Sequence, residues 1–278
     1  MAFTPVVPFG GLLGFRFIER TFDAQFETFG KSPEIQREID YFLEHAGEAT
    51  TAEALVADRR LLRVVLGAFG LDDEVGKWAF IRKILEDGTL DPKSLANRLA
   101  DPAWAEFSQA LGYGDLGGLL VFDNTRQNIA EQFRLRQFER AIGDVDVDIR
   151  LALNFRRDIR EIALDPAVEK TGWFKVMGSQ PLRRVIEGAY NLPMAFGLID
   201  IDRQRSQLEA RTGQMFGSES PAVFASDETI DDMLRRFLLS AQLQGGFSPS
   251  TPGATALTLL QAGGLGTGGS ANLFASNF

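Results

Sequence analysis

The sequence predicts an all-α protein: a multi-helix bundle with an internally duplicated helical unit and a flexible Gly-rich C-terminal tail. Three observations predict it. Apolar residues recur at helical spacing along most of the chain. Start and stop residues bracket those stretches, and strand-like alternation is scarce. At 278 residues the chain can form one large or two small domains with a substantial core. Its 45% apolar and 24% charged residues are those of a soluble globular protein.

The first segment, residues 1–31, is aromatic. From Gly14 to Gly30, "GFRFIERTFDAQFETFG" carries Phe15, Phe17, Phe22, Phe26 and Phe29, out of 23 phenylalanines in all. Phe22, Phe26 and Phe29 lie at i, i+4 and i+7, one helix face. Burial against the body is the default for such a face, and an exposed binding surface is the alternative.

A first helical unit is expected over 32–118. "SPEIQREIDYFLEHAG" opens with Ser32 as N-cap and Pro33 at the first helical position, and closes at Gly47. The sole histidine, His45, sits in its last turn, where a cation suits the negative end of the helix dipole. "TTAEALVADRRLLRVVLGAFG" begins with the spacing of a capping box, Thr50 to Glu53. Asp91-Pro92, Asp101-Pro102 and Asp165-Pro166 each pair a capping carboxylate with a proline whose missing N–H costs nothing at a helix start.

A second, diverged unit is expected over 119–244. "GLLVFDN" and "GDVDVDIR" are its only strand candidates, and the second also reads as a helix start. Aligning Leu61 with Leu182 places Val64, Val65, Gly67, Ala68, Phe69, Gly70 and Leu71 on Val185, Ile186, Gly188, Ala189, Tyr190, Asn191 and Leu192. Gly70 and Asn191 are the residue types that best tolerate the left-handed conformation ending a helix. Gly67-Ala68 and Gly188-Ala189 mark places where another backbone can approach closely. "DPAWAEFSQALGYG" is a looser third copy, with Asp101, Trp104 and Phe107 matching Asp58, Leu61 and Val64. Duplication of a small helical unit accounts for the shared ending; chance likeness between amphipathic helices is the rival.

Residues 245–278 lose all charge and fill with Gly, Ser, Thr and Pro around one apolar run, "ATALTLLQA". The Gly-rich part is expected to be flexible. The run suits a short docking helix on the body or a segment that orders against a partner.

Catalytic and cofactor signals are weak. Without cysteine, thiolate catalysis, disulfides and Cys-ligated metals are excluded. A Ser–His–Asp triad would have to use His45. "GLGTGG" satisfies GxGxxG through Gly264, Gly266 and Gly269, but only nine residues follow, too few for the helix that a dinucleotide site needs. Asp144, Asp146 and Asp148 mimic the start of a calcium loop, whose sixth and twelfth positions are here Ile149 and Phe155 instead of Gly and Glu. A helix-initiating acidic cluster is the simpler reading. Asp72/Asp73 and Asp231/Asp232 suit helix starts. The arginine clusters at 59/60/63, 156/157/160, 183/184 and 235/236 suit helix surfaces that pair with the acidic excess, or one partner-facing patch. A net charge of -9 and the lack of a Lys/Arg stripe point away from nucleic acid. No run is apolar enough for a membrane span, and the N-terminus lacks the pattern of a cleavable secretory signal.

The blocks "FETFGKSPEIQREIDYF", "LVADRRLLRVVLGAFGLDD" and "FIRKIL…DPKSLANRLAD" occur in order within residues 15 to 115. They resemble an alphaproteobacterial domain-of-unknown-function family whose members are often encoded among flagellar genes. The second half looks like a diverged continuation of that family. The resemblance implies a bacterial flagellar association and carries no active site with it.

The expected function is therefore a non-enzymatic, flagellum-associated role through protein–protein contacts, without cofactors. Other flagellar proteins are the expected partners, and the location is cytoplasmic or flagellum-associated. Candidate contact residues are Phe15, Phe17 and Phe22 at the N-terminal end and Leu257, Leu259 and Leu260 in the tail. Two alternatives stand beside it. One is a small-molecule-binding regulator with a pocket between the repeated units, where arginines grip an acidic ligand. The other is a carboxylate-based peptidoglycan hydrolase, for which no pair of carboxyls can be nominated.

Overall fold

In the computed structural model, which describes residues 3–244, the chain forms α-helices joined by turns and short 3-10 segments, with no strand among the described residues. The aromatic segment is α1 (Gly11–Gly30), and Pro33 opens α2 (Pro33–His45) directly after Ser32. His45 lies in the last turn of α2, where its Nδ1 meets the Tyr41 carbonyl at 3.0 Å.

The next stretch is two helices, α3 (Ala52–Ala57) and α4 (Arg59–Ala68). The cap of α3 is Thr51, whose hydroxyl accepts from Ala54 N at 3.1 Å, not Thr50. With Ala52 at the first helical position, Glu53 stands at the second and cannot close the expected box. Asp58 breaks the stretch with extended backbone (φ -91°, ψ 103°) and accepts from Arg60 N and Leu61 N at 2.9 and 3.1 Å. Its carboxylate thereby starts α4.

Helices α5 (Trp78–Asp87), α6 (Leu95–Arg98), α7 (Ala103–Leu111) and α8 (Tyr113–Leu116) complete the first half. Asp101 accepts from Ala103 N at 3.0 Å before α7. Asp91 accepts from Lys93 N at 2.8 Å but only shapes a turn, since α6 begins later, at Leu95. Residues 117–122 are turns and bends leading into α9 (Asp123–Gly143), and α10 (Val147–Leu164) starts on Asp146, which accepts from Asp148 N and Ile149 N. Both strand candidates are thus helix entries. Asp165 accepts from Ala167 N at 2.7 Å ahead of α11 (Val168–Gly178). Helices α12 (Gln180–Ala189), α13 (Ile201–Phe216) and α14 (Asp227–Gln244) follow.

The repeated sequence is a repeated cap. Gly70 (φ 74°) and Asn191 (φ 49°) are both left-handed. Gly70 N donates to Gly67 O and Leu71 N to Leu66 O, just as Asn191 N donates to Gly188 O and Leu192 N to Glu187 O. This is the paired hydrogen-bond pattern of a Schellman ending. What approaches the small residues is an aromatic ring, not a backbone. A Cβ on Gly67 would lie 2.8 Å from the Phe133 ring, and one on Gly188 would lie 2.8 Å from the Phe237 ring. So α4 packs on α9, and α12 packs on α14, through the same device.

Two apolar cores result. One gathers Phe42, Leu62, Val65, Ile81, Phe107 and Phe133 among others. The other gathers Phe15, Ile18, Phe138, Phe155, Val185 and Phe237. Within α9, Phe133 belongs to the one and Phe138 to the other. The N-terminal aromatic helix belongs to the second core: Phe22, Phe26 and Phe29 surround Phe138 with ring centroids 5.3, 5.6 and 5.4 Å away. Rings this close favour edge-on and tilted geometry, which is what they adopt.

Candidate functional site

Two features stand out once the cores are filled: an apolar corner in the second half and a charged cleft between the cores. The corner begins with "FGGLLG" at residues 9–14. Gly11 enters α1 with φ 60°, and a Cβ there would run into the Gln242 side chain. A Cβ on Gly14 would strike the Phe9 carbonyl oxygen and Ile149, and one on Gly10 would lie 3.3 Å from Asp146. Glycine lets the chain double back at this point. Residues 3–9 then run along α1, with Gln25 bridging both the N–H and the carbonyl of Val6 at 2.8 and 3.2 Å.

The start of α1, the α9–α10 turn and the end of α14 therefore meet. Each brings exposed apolar side chains to the junction. Phe9 (52% exposed) and Leu13 (70%) flank the glycines, and Val145 and Val147 flank Asp146. Leu239 and Leu243 (83%) share with Gln242 the face of α14 that abuts Gly11. Residues i, i+3 and i+4 of a helix are neighbours, which places these leucines beside the glycine turn. Scattered exposed leucines need no explanation; here three elements that pack together each carry exposed apolar residues.

The cleft, of about 620 Å³, opens where α7, α9, α10 and α11 face one another. Its floor is Glu139, 3% exposed, which accepts from Asn154 Nδ2 at 2.6 Å and from Arg157. Arg157 also reaches Asp158 at 2.6 Å, Arg136 lies 3.6 Å from Asp158, and Arg140 pairs with Asp72 and Asp73 at 3.2 and 3.5 Å. Burial pushes the Glu139 carboxyl above the usual range, with Arg157 pulling the other way. Burial would discharge Arg157, but Asp158 and Glu139 outweigh it and hold the guanidinium charged. Burial also raises Asp101 and Glu106 on the rim. Arg136, Arg140 and Arg157 are thus matched to nearby carboxylates, while Arg150, which also lines the cleft, makes no ion pair among the described residues; the network ties α9 to α10. No cluster of three or more His, Asp or Glu side chains suited to a metal occurs among the described residues.

Of the contact residues expected from sequence, Phe15 is 1% exposed and is core. Phe17 and Phe22 are half-buried against the same core. Phe22 packs its ring 5.3 Å from that of Phe138. Leu257, Leu259 and Leu260 lie outside the described residues. Some exposed residues, such as Trp78 and Leu198, lie scattered elsewhere; at the corner, those that sequence reasoning missed are Phe9, Leu13, Val145, Val147, Leu239 and Leu243. A signal for part of them exists in "FLLSAQL" (237–243), where adjacent apolar residues cover more of the helix than one buried face can use. No helix among the described residues is long and apolar enough to cross a membrane.

Residues 68–223 match the profile of a family described as "Protein of unknown function (DUF1217)". The chain is also similar to the crystal structure of protein AGR_C_984 from Agrobacterium tumefaciens, at 24% sequence identity and a TM-score of 0.71. That alignment covers 87% of this chain and all of that one. The likeness shows a shared fold. No curated protein matches the chain.

Proposed function

Since the chain belongs to the DUF1217 family, whose description assigns no activity, we propose from its own geometry a non-enzymatic role exercised through protein–protein contact at the apolar corner. The observation that carries this reading is the convergence of Phe9, Leu13, Val147, Leu239 and Leu243, all exposed, from separate elements. Interface centres are depleted in charge, more apolar than their rims and enriched in aromatic residues such as Phe9. The ordered blocks within residues 15 to 115, similar to proteins encoded among flagellar genes, support a partner in the flagellar apparatus and a flagellum-associated or cytoplasmic location.

The test is an in-frame deletion in the native host, scored for swimming and for filaments and basal bodies by electron microscopy. The deletion is expected to impair assembly, and the wild-type chain to restore it. A Leu13→Glu/Leu243→Glu variant, folded by circular dichroism, is expected to fail. Normal swimming and structures in the deletion strain would overturn the flagellar placement. Full rescue by the double variant would overturn the corner.

The cleft favours a second reading, a small ligand held between the cores. Arg136, Arg140 and Arg157 are engaged by neighbouring carboxylates, so that of its arginines only Arg150 has no ion pair among the described residues. Three carboxylates, Asp101, Glu106 and Glu161, face the cleft without a basic partner at ion-pair distance among the described residues. The ligand of this reading is accordingly a small cation or zwitterion, not the acid that the arginine clusters suggest in the sequence. A polyamine or amino-acid panel that leaves the melting temperature unmoved would remove it.

A further inference from the structure

We propose that the apolar corner is covered by the chain's own residues 254–262, "ATALTLLQA", so that a partner reaches the corner only by displacing them. The inference rests on reading the corner as a contact surface. Helix α14 ends at Gln244, and its last two turns carry Leu239 and Leu243, two of the corner's exposed side chains. The chain therefore leaves the folded body at the corner itself. Nine residues, "GGFSPSTPG" (245–253), separate that point from the apolar run. A spacer of this composition has a root-mean-square span of roughly 16 Å, enough to turn back and too short to range over the molecule. Such a tether holds the run at an effective concentration on the order of millimolar beside the corner.

The chemistry of the two surfaces matches. At helical spacing Ala256, Leu257, Leu259 and Leu260 share one side of the run, with Thr255, Thr258 and Gln261 on the other. Residues 245–278 contain no Asp, Glu, Lys or Arg, so laying the run on Phe9, Leu13, Val147 and Leu243 removes apolar surface from water without stripping a charge of solvent. The contact is also displaceable. A nine-residue apolar run offers a smaller face than a protein partner, so a larger apolar surface competes with it by mass action.

The test uses the full chain with a photoactivatable phenylalanine at position 13, far from the tether in sequence. Irradiation of the monomer is expected to join residue 13 to peptides within 254–262. Replacing Leu257, Leu259 and Leu260 by Glu is expected to abolish that product and to raise amide exchange at 239–244 about tenfold. Cross-links only between two copies, or none to 254–262, would overturn the proposal, as would unchanged exchange in the triple variant. Its failure is separable from that of the contact reading. If the cross-link forms but Leu13→Glu/Leu243→Glu rescues the deletion strain fully, only the partner reading falls. If the double variant fails to rescue and no cross-link forms, only this inference falls.

Discussion

At the scale of single residues, charge placement is local at caps and non-local in the cleft. Asp58 is a cap: its carboxylate takes two backbone N–H groups of α4 and the Tyr41 hydroxyl at 2.7 Å. Partial burial pushes its pKa up, and those hydrogen bonds outweigh that, leaving it below 3.8. A carboxyl whose folded pKa is depressed stabilises fully above its unfolded pKa and loses that contribution as pH falls through the folded value. Asp58→Ala is therefore expected to cost about 1 kcal/mol at neutral pH. In denaturant titrations the gap to wild type should narrow as pH falls through and below the usual carboxylate range. Glu139 is the opposite case, buried and paired to Arg157 and Asn154. Glu139→Ala leaves a buried guanidinium with Asp158 alone and should cost about 3–5 kcal/mol, read by thermal or chemical unfolding. Asp58 was within reach of sequence reasoning, because a cap and its helix are neighbours in the chain. Glu139 was not, since nothing around "QFERAIG" says that Asn154 and Arg157 will stand opposite it.

At the scale of elements, α4 and α12 end alike because the same three requirements act on both: a left-handed residue, a following leucine and a glycine under an aromatic ring. The left-handed pair was legible, since only Gly and Asn enter that region cheaply. The partner rings, Phe133 and Phe237, were not, because they come from later helices with no spacing rule linking them to the glycines. Gly188→Ala puts a methyl group 2.8 Å from the Phe237 ring and should destabilise by about 1–3 kcal/mol. Asn191→Gly keeps the left-handed cap and should change stability by no more than a few tenths of a kcal/mol. The two variants measured in parallel separate packing from capping; equal losses would contradict that division. The same contrast explains α1. Its 3.6-residue spacing of phenylalanines announced a helix with an aromatic face, and Phe138 of α9 decided that this face is core.

At the scale of the whole molecule, α9 is the shared element: Phe133 serves one core, Phe138 the other, and Glu139 braces it to α10. Two cores joined through one continuous helix should unfold in a single calorimetric transition. Leu135→Pro, between the two aromatic anchors, removes helix hydrogen bonding at a cost of roughly 3 kcal/mol or more and should split that transition in two. A single unbroken transition in the variant would show that the cores are coupled by other contacts. The sequence by itself determined the helical class, several helix starts and the two left-handed endings. These depend on residues within a turn or two of one another, where capping, proline placement and backbone sterics are decided. Only the tertiary structure decided which apolar faces are buried, that Arg136, Arg140 and Arg157 of the cleft are matched, and that Phe9, Leu13, Leu239 and Leu243 are left in the open. Burial and ion pairing depend on what other helices bring alongside, and an apolar residue becomes a contact surface only when every internal partner has gone elsewhere.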